Sequence, residues 1–197
     1  MIAIIDYGAG NLRSVCNALD EVGAAYRVLA GPALVSEANK IILPGVGHFG
    51  QMMRALDRRG FRSPLMDRIR AGVPFLGICL GLQALFESSE EAPDERGLGV
   101  FPGRVRRFRE RRVPQMGWNS LEAVRASRLL EGLPPRPYVY FANSFYAGEC
   151  EATSAVANYG VRYTAILERE NIAAVQFHPE KSGPCGLRLI KNFVHAG

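Results

Sequence analysis

The sequence predicts an α/β fold: an open, mostly parallel central sheet flanked by helices, with antiparallel strands added in its second half. Three observations predict it. Up to about residue 86, short apolar runs ending at Gly or Pro alternate with segments whose apolar residues recur at helical spacing. After residue 100, short strand-like runs follow one another, several joined by turns containing Gly or Asn. No repeat, low-complexity tract or linker interrupts the 197 residues, so the chain reads as one domain, 1–197.

In order, residues 2–7 form an apolar run that stops at Gly8 and read as a buried strand. Leu12, Val15, Cys16, Leu19 and Val22 then recur at helical spacing, and Gly23 closes the helix. Residues 26–29 suggest a second strand. A third, 41–43, stops at Pro44-Gly45. Residues 51–70 are helical, with breaks near Gly60 and Pro64. A fourth strand over 74–78 leads into a helix over 80–86. The acidic stretch 88–99 reads as a surface loop. Strands are expected over 104–108, 113–116, 138–145, 153–158, 163–167 and 172–177, and a last helix over 186–194.

Composition narrows the function classes. The chain is 48% hydrophobic and 22% charged, which fits a soluble globular protein and excludes disorder. No apolar run approaches the ~20 residues of a spanning helix, so no membrane association is expected. Met1-Ile2-Ala3-Ile4-Ile5-Asp6 lacks the basic start of a signal peptide, and the expected compartment is the cytoplasm. The net charge is +5, and all but three of the 24 basic residues are arginine. The cluster Arg104, Arg106, Arg107, Arg109, Arg111 and Arg112 has only Phe108 as an interleaved aromatic. It reads as a strand with a solvated basic face rather than a nucleic-acid site. The cysteines (Cys16, Cys79, Cys150, Cys185) and histidines (His48, His178, His195) show no metal-ligand spacing, so no metal and no cofactor is expected.

The most informative stretch is Pro74-Phe75-Leu76-Gly77-Ile78-Cys79-Leu80-Gly81-Leu82-Gln83. A buried strand runs into a helix with Cys79 at the joint and glycines at −2 and +2. This is the Gly-x-nucleophile-x-Gly elbow with sulfur in place of oxygen. A helix N-terminus at the cysteine favours thiolate. Near the far end, His178-Pro179-Glu180 follows an apolar strand, and in an extended segment His178 and Glu180 project to one side. A thiol, an imidazole and a carboxylate are the parts of an acyl-transfer triad. Gly45-Val46-Gly47-His48-Phe49-Gly50 matches a dinucleotide fingerprint but follows the third strand. Its only acid at ~20 residues, Asp67, lies in helical sequence. Its backbone N–H groups suit an oxyanion hole instead, with the Leu80 N–H as second donor.

On the elbow, the Pro44-Gly45-Val46-Gly47 loop and His178-Pro179-Glu180, the chain resembles the class I (triad) glutamine amidotransferases. Asp6-Tyr7-Gly8-Ala9-Gly10-Asn11, Pro114-Gln115-Met116-Gly117-Trp118-Asn119 and Lys181-Ser182-Gly183 are similar to the glutaminase subunits of imidazole glycerol phosphate synthases. The resemblance implies a glutaminase with Cys79 as nucleophile, His178 as proton carrier and Glu180 as its orienter. It implies oxyanion donors in Gly45, Val46, Gly47 and Leu80, and L-glutamine held by Gln83 and the backbone around Ser144 and Phe145. It also implies a heterodimer with a (β/α)8-barrel cyclase that receives ammonia, with contacts at Asn11, Met116, Trp118, Asn119 and Lys181. In that family the glutaminase is nearly idle until the cyclase binds its own substrate. Two positions depart from the pattern, Gln115 and Asn143, where many relatives carry histidine. The residues leave open a glutaminase subunit of another synthase, a stand-alone cysteine hydrolase or redox sensor, and a non-catalytic binding module. Met116-Gly117-Trp118-Asn119 argues against the first, and intact Cys79, His178 and Glu180 against the last.

Overall fold

A computed structural model describes residues 1–195. The chain opens with strand β1 (Ile2–Ile5), helix α1 (Leu12–Glu21), β2 (Tyr26–Leu29) and β3 (Lys40–Gly45), with a 3₁₀ turn at Pro32–Glu37 between the last two. Helices α2 (Phe49–Arg58) and α3 (Arg62–Arg70) lead to β4 (Phe75–Cys79) and the single turn α4 (Leu80–Gln83). Then come β5 (Phe86–Ser89), β6 (Ala92–Arg96), β7 (Phe101–Arg107), β8 (Gln115–Ser120), β9 (Glu122–Ala123), β10 (Tyr138–Asn143) and β11 (Phe145–Tyr146). Strands β12 (Thr153–Asn158), β13 (Arg162–Arg169) and β14 (Ile172–Val175), then α5 (Gly183–His195), complete it.

The central sheet has the order β2-β1-β3-β4-β14-β13-β12-β9. The pairs from β2 to β14 are parallel, and β13, β12 and β9 are antiparallel additions. Alternate residues of each parallel strand feed opposite cores. Ala3, Ile5, Leu43 and Phe75 pack with α2 and α3, while Ile2, Ile4, Ile42 and Leu76 pack with α1, α5 and β10. A strand buried on both faces has no polar alternate positions, which is why these runs are apolar throughout. Two smaller sheets, β11-β7-β5-β6 and β10-β8, flank the large one. Among the described residues no helix is long and apolar enough to cross a membrane.

The expected elements are present with shifted bounds, and four differences have physical causes. The helix expected over 80–86 is one turn, because the Ala84 and Leu85 carbonyls accept from Leu98, Val100 and Phe101 instead of a continuing helix. The loop expected over 88–99 is the β5–β6 hairpin. Strand β6 contains Pro93 and is largely exposed, an edge strand with no apolar face to read. The run 138–145 divides at Ser144, where the chain leaves β8 and pairs with β7. Pro64 does not break a helix; it sits in the first turn of α3, where a missing N–H costs nothing.

Candidate active site

The carboxyl ends of β3, β4 and β14 lie side by side, with Gly45 opposite Cys79 and Ile78 opposite Val175. Open α/β sheets bind ligands at such ends. Cys79 has φ +55° and ψ −105°, a conformation L side chains rarely adopt. Close backbone contact enforces it: a Cβ on Gly81 would lie 2.0 Å from the Leu43 carbonyl oxygen, and one on Gly77 2.7 Å from the Gly81 oxygen. Only glycine fits at either position, and the cysteine is lifted above the sheet as a result. Because α4 has a single turn, its macrodipole is slight. The local donors at Cys79 are its free first N–H groups and a side chain, Gln176 Nε2, 3.6 Å from Sγ.

His178 leaves β14 and donates its backbone N–H to the Tyr140 carbonyl. Its Nδ1 lies 2.8 Å from Glu180 Oε1. The two side chains meet through a 3₁₀ turn at Pro179–Lys181, not through the alternation of an extended strand. Ser182 Oγ clamps that turn by donating to the His178 carbonyl at 2.6 Å and accepting from Tyr140 N at 2.9 Å. Burial alone would lower the imidazole pKa. Hydrogen bonds and charge attraction from Cys79 and Glu180 overcome it and push His178 up to about 10. A protonated imidazole beside the sulfur is the arrangement used in nucleophilic acyl transfer.

Cys79 and His178 open into a pocket of about 230 Å³ that is also lined by Val46, Gly47, Leu80, Gln83, Glu91, Asn143, Ser144, Phe145 and Lys181. Val46, Gly47, Cys79, Leu80, Gln83, His178 and Lys181 come from the sequence motifs, and Ser144 and Phe145 were expected from the resemblance; Gly45 lies just behind, its Cβ position 2.7 Å from Leu80 Cβ. Gln83 is buried, and its Nε2 donates to the Phe145 carbonyl and to Gln176 Oε1, both at 3.0 Å. Glu91 sits in the β5–β6 turn, and its Oε2 accepts the Phe49 N–H at 2.6 Å. Nothing in the sequence marked it, since an acid in an acidic stretch looks like surface. Gln176 was likewise hidden inside an apolar strand. Asn143 lines the pocket and donates to the Phe145 carbonyl, whereas Gln115 is buried away from it, accepting from Tyr163. The Val46 N–H does not point at Cys79; it donates to the Tyr7 hydroxyl at 3.3 Å.

Met116 and Trp118 are exposed, at 67% and 56%, on one face of the β8–β10 ribbon with Tyr138 at 60%. Trp118 packs edge-on to Tyr140, and Lys181 Nζ lies over the Tyr140 ring. Asn119 is not part of that face: as the next residue along the strand it projects oppositely, and its Nδ2 donates to the Asn158 carbonyl. Asn11 stands apart at the start of α1, accepting from Ser14 Oγ. Arg104, Arg106, Arg107, Arg109, Arg111 and Arg112 are all exposed. Among the described residues no group of three or more His, Cys, Asp and Glu could hold a metal ion.

Residues 3–196 match the family described as glutamine amidotransferase class-I. The chain is 50% identical over 196 residues to the imidazole glycerol phosphate synthase subunit HisH of Desulfitobacterium hafniense, covering 98% of this chain and 93% of that one. It is 50% identical over 197 residues to the HisH subunit of Deinococcus radiodurans, covering 98% and 92%. Among solved structures, one described as a glutamine amidotransferase superposes with a TM-score of 0.78 at 20% identity, covering 98% and 97%. PurLQS from Thermotoga maritima also superposes with a TM-score of 0.78, at 16% identity, covering 98% and 96%. With a family match along nearly its whole length and half its residues shared with HisH subunits, the chain belongs to the class I glutamine amidotransferases.

Proposed function

We propose that this protein is the glutaminase subunit of an imidazole glycerol phosphate synthase, hydrolysing L-glutamine to glutamate and ammonia through a Cys79 thioester. The observation that carries the reading is the trio itself: Cys79 on its strained elbow against His178, with His178 Nδ1 2.8 Å from Glu180. The Cys79 thiolate attacks the side-chain amide carbon. The tetrahedral intermediate collapses as imidazolium His178 passes its proton to the nitrogen, and ammonia leaves. Neutral His178 then takes a proton from water, whose oxygen attacks the thioester carbonyl; glutamate leaves and the thiolate–imidazolium pair returns. Glu180 holds the imidazole tautomer. The Leu80 N–H is one oxyanion donor, and the Gly45-Val46-Gly47 backbone supplies a second only after the Val46 N–H turns from the Tyr7 hydroxyl that it meets in this structure. Gln83, Ser144 and Phe145 hold the amino-acid part, and Glu91 adds a carboxylate for the substrate ammonium.

HisH relatives are named as subunits of a synthase, and this chain acts within such a complex. Ammonia in water at neutral pH is mostly ammonium, which is no nucleophile, so its delivery needs a protected path to an acceptor site on another chain. The proposed partner is a (β/α)8-barrel cyclase in a heterodimer. The exposed Met116, Trp118 and Tyr138 supply an apolar docking face, and Lys181 links that face to the Cys79 pocket. The Pro44-Gly45-Val46-Gly47 loop is the proposed gate through which the partner acts.

The test is Cys79→Ala in the assembled complex. Glutamine-dependent turnover is expected to vanish while turnover with added ammonia persists. Retention of both would remove Cys79 as the nucleophile; a partner other than a cyclase would overturn the assignment to this synthase.

A further inference from the structure

We infer that Ser182 is a positioning residue for the base: its hydroxyl ties the backbone of His178 to Tyr140 of β10, so the β8–β10 ribbon sets where the imidazole meets Cys79. The inference rests on the glutaminase reading of the pocket. Three contacts close a ring. The His178 N–H donates to the Tyr140 carbonyl at 2.9 Å, the Tyr140 N–H donates to Ser182 Oγ at 2.9 Å, and Ser182 Oγ donates to the His178 carbonyl at 2.6 Å. Ser182 is 1% exposed, so its hydroxyl is shielded from water.

In an antiparallel pair, alternate residues turn both backbone groups away from the partner strand. Tyr140, opposite Trp118 of β8, is such a residue. Both of its backbone groups are taken by the catalytic segment, the carbonyl by His178 and the N–H by Ser182. From the other side α5 limits the turn. Gly186 donates its N–H to the Ser182 carbonyl at 3.2 Å, and a Cβ on Gly186 would lie 1.9 Å from the Pro179 oxygen. The turn cannot settle toward α5, and the Ser182 hydroxyl holds it to β10.

The hydroxyl acts on the His178–Glu180 pair as a unit. Both residues sit in the same turn, and the contact between their side chains does not pass through Ser182. Cys79 comes from another element, the end of β4. Loosening the turn from β10 therefore leaves the imidazole with its carboxylate and shifts both relative to the sulfur. A displacement of about 1 Å at a reacting group can cost on the order of 10² in rate. The titratable groups around the imidazole are Cys79 from the elbow, Glu180 from the turn, and Glu91 and Lys181 across the pocket. Against burial, which lowers it, the hydrogen bond with Cys79 leads the contributions that raise His178 to about 10.

Ser182→Ala removes one oxygen and no carbon. In the assembled complex, kcat for glutamine is expected to fall about tenfold or more with KM within about twofold, because Gln83, Ser144 and Phe145 are untouched. In the isolated chain, the His178 titration followed by NMR is expected to move down from about 10 toward the ordinary 6.5, since the contact with sulfur is lost while Glu180 stays. The Tyr140 amide is expected to exchange slowly with solvent in the wild type and faster in the variant. A lower kcat without a downward move of the His178 titration would make Ser182 a support of the fold alone and overturn the inference. An unchanged kcat, or a Tyr140 amide that already exchanges fast in the wild type, would overturn it too. Titration and exchange need no turnover, so they judge the clamp separately. A wild-type complex unable to hydrolyse glutamine would instead overturn the functional reading beneath it.

Discussion

His178 concentrates the chemistry in one side chain. Its proton is held to about pH 10, against an ordinary 6.5, by Cys79 and Glu180 acting against burial. Because the folded pKa is the higher one, the stabilising contribution is complete below pH 6.5 and is lost as pH rises toward 10. In Cys79→Ala one of the two partners is gone. The thermal midpoint of that variant is expected to fall less than the wild type's between those limits, measured by calorimetry across the range. Parallel profiles would show that the sulfur does not hold the proton. Cys79, His178 and Glu180 were legible because each sits in a short motif with a fixed local geometry. Gln176 and Glu91 were not: they reach the site through tertiary contacts that no local spacing encodes, from an apolar strand and an acidic hairpin.

At the scale of elements, the β4–α4 elbow is the tightest joint. A methyl at Gly81 would meet backbone, the Leu43 oxygen 2.0 Å away, and backbone has nowhere to move. Gly81→Ala is expected to destabilise the fold by about 3 kcal/mol or more, while Gly148→Ala, with nothing within 4 Å, stays within about 0.5 kcal/mol. Urea denaturation of the two variants measures both; equal midpoints would mean that the joint is not packed as described. The alternation of parallel strands and helices could be read from the sequence because doubly buried strands are apolar throughout and amphipathic helices have a period. The β5–β6 hairpin and the shortness of α4 could not. Edge strands carry no apolar face, and a helix end set by carbonyls accepting from Leu98, Val100 and Phe101 is decided by residues far along the chain.

At the scale of the whole molecule, the β8–β10 ribbon turns an apolar face outward beside the Cys79 pocket. Trp118 is 56% exposed, so removing its ring takes little from the folded chain. Trp118→Ala is expected to leave the thermal midpoint nearly unchanged and to weaken assembly with the synthase partner by about tenfold or more, as for an aromatic anchor. Titration calorimetry with the partner reads the difference, and unchanged affinity would place the docking face elsewhere. The adjacency of β4 and β14 has a further consequence, for the order in which the protein becomes active. Gln176 reaches Cys79 across 97 residues of chain, and His178 follows it. During synthesis the thiol therefore emerges long before the residues that make it a nucleophile. A translation product that stops anywhere short of β14 carries an ordinary cysteine and spends no glutamine.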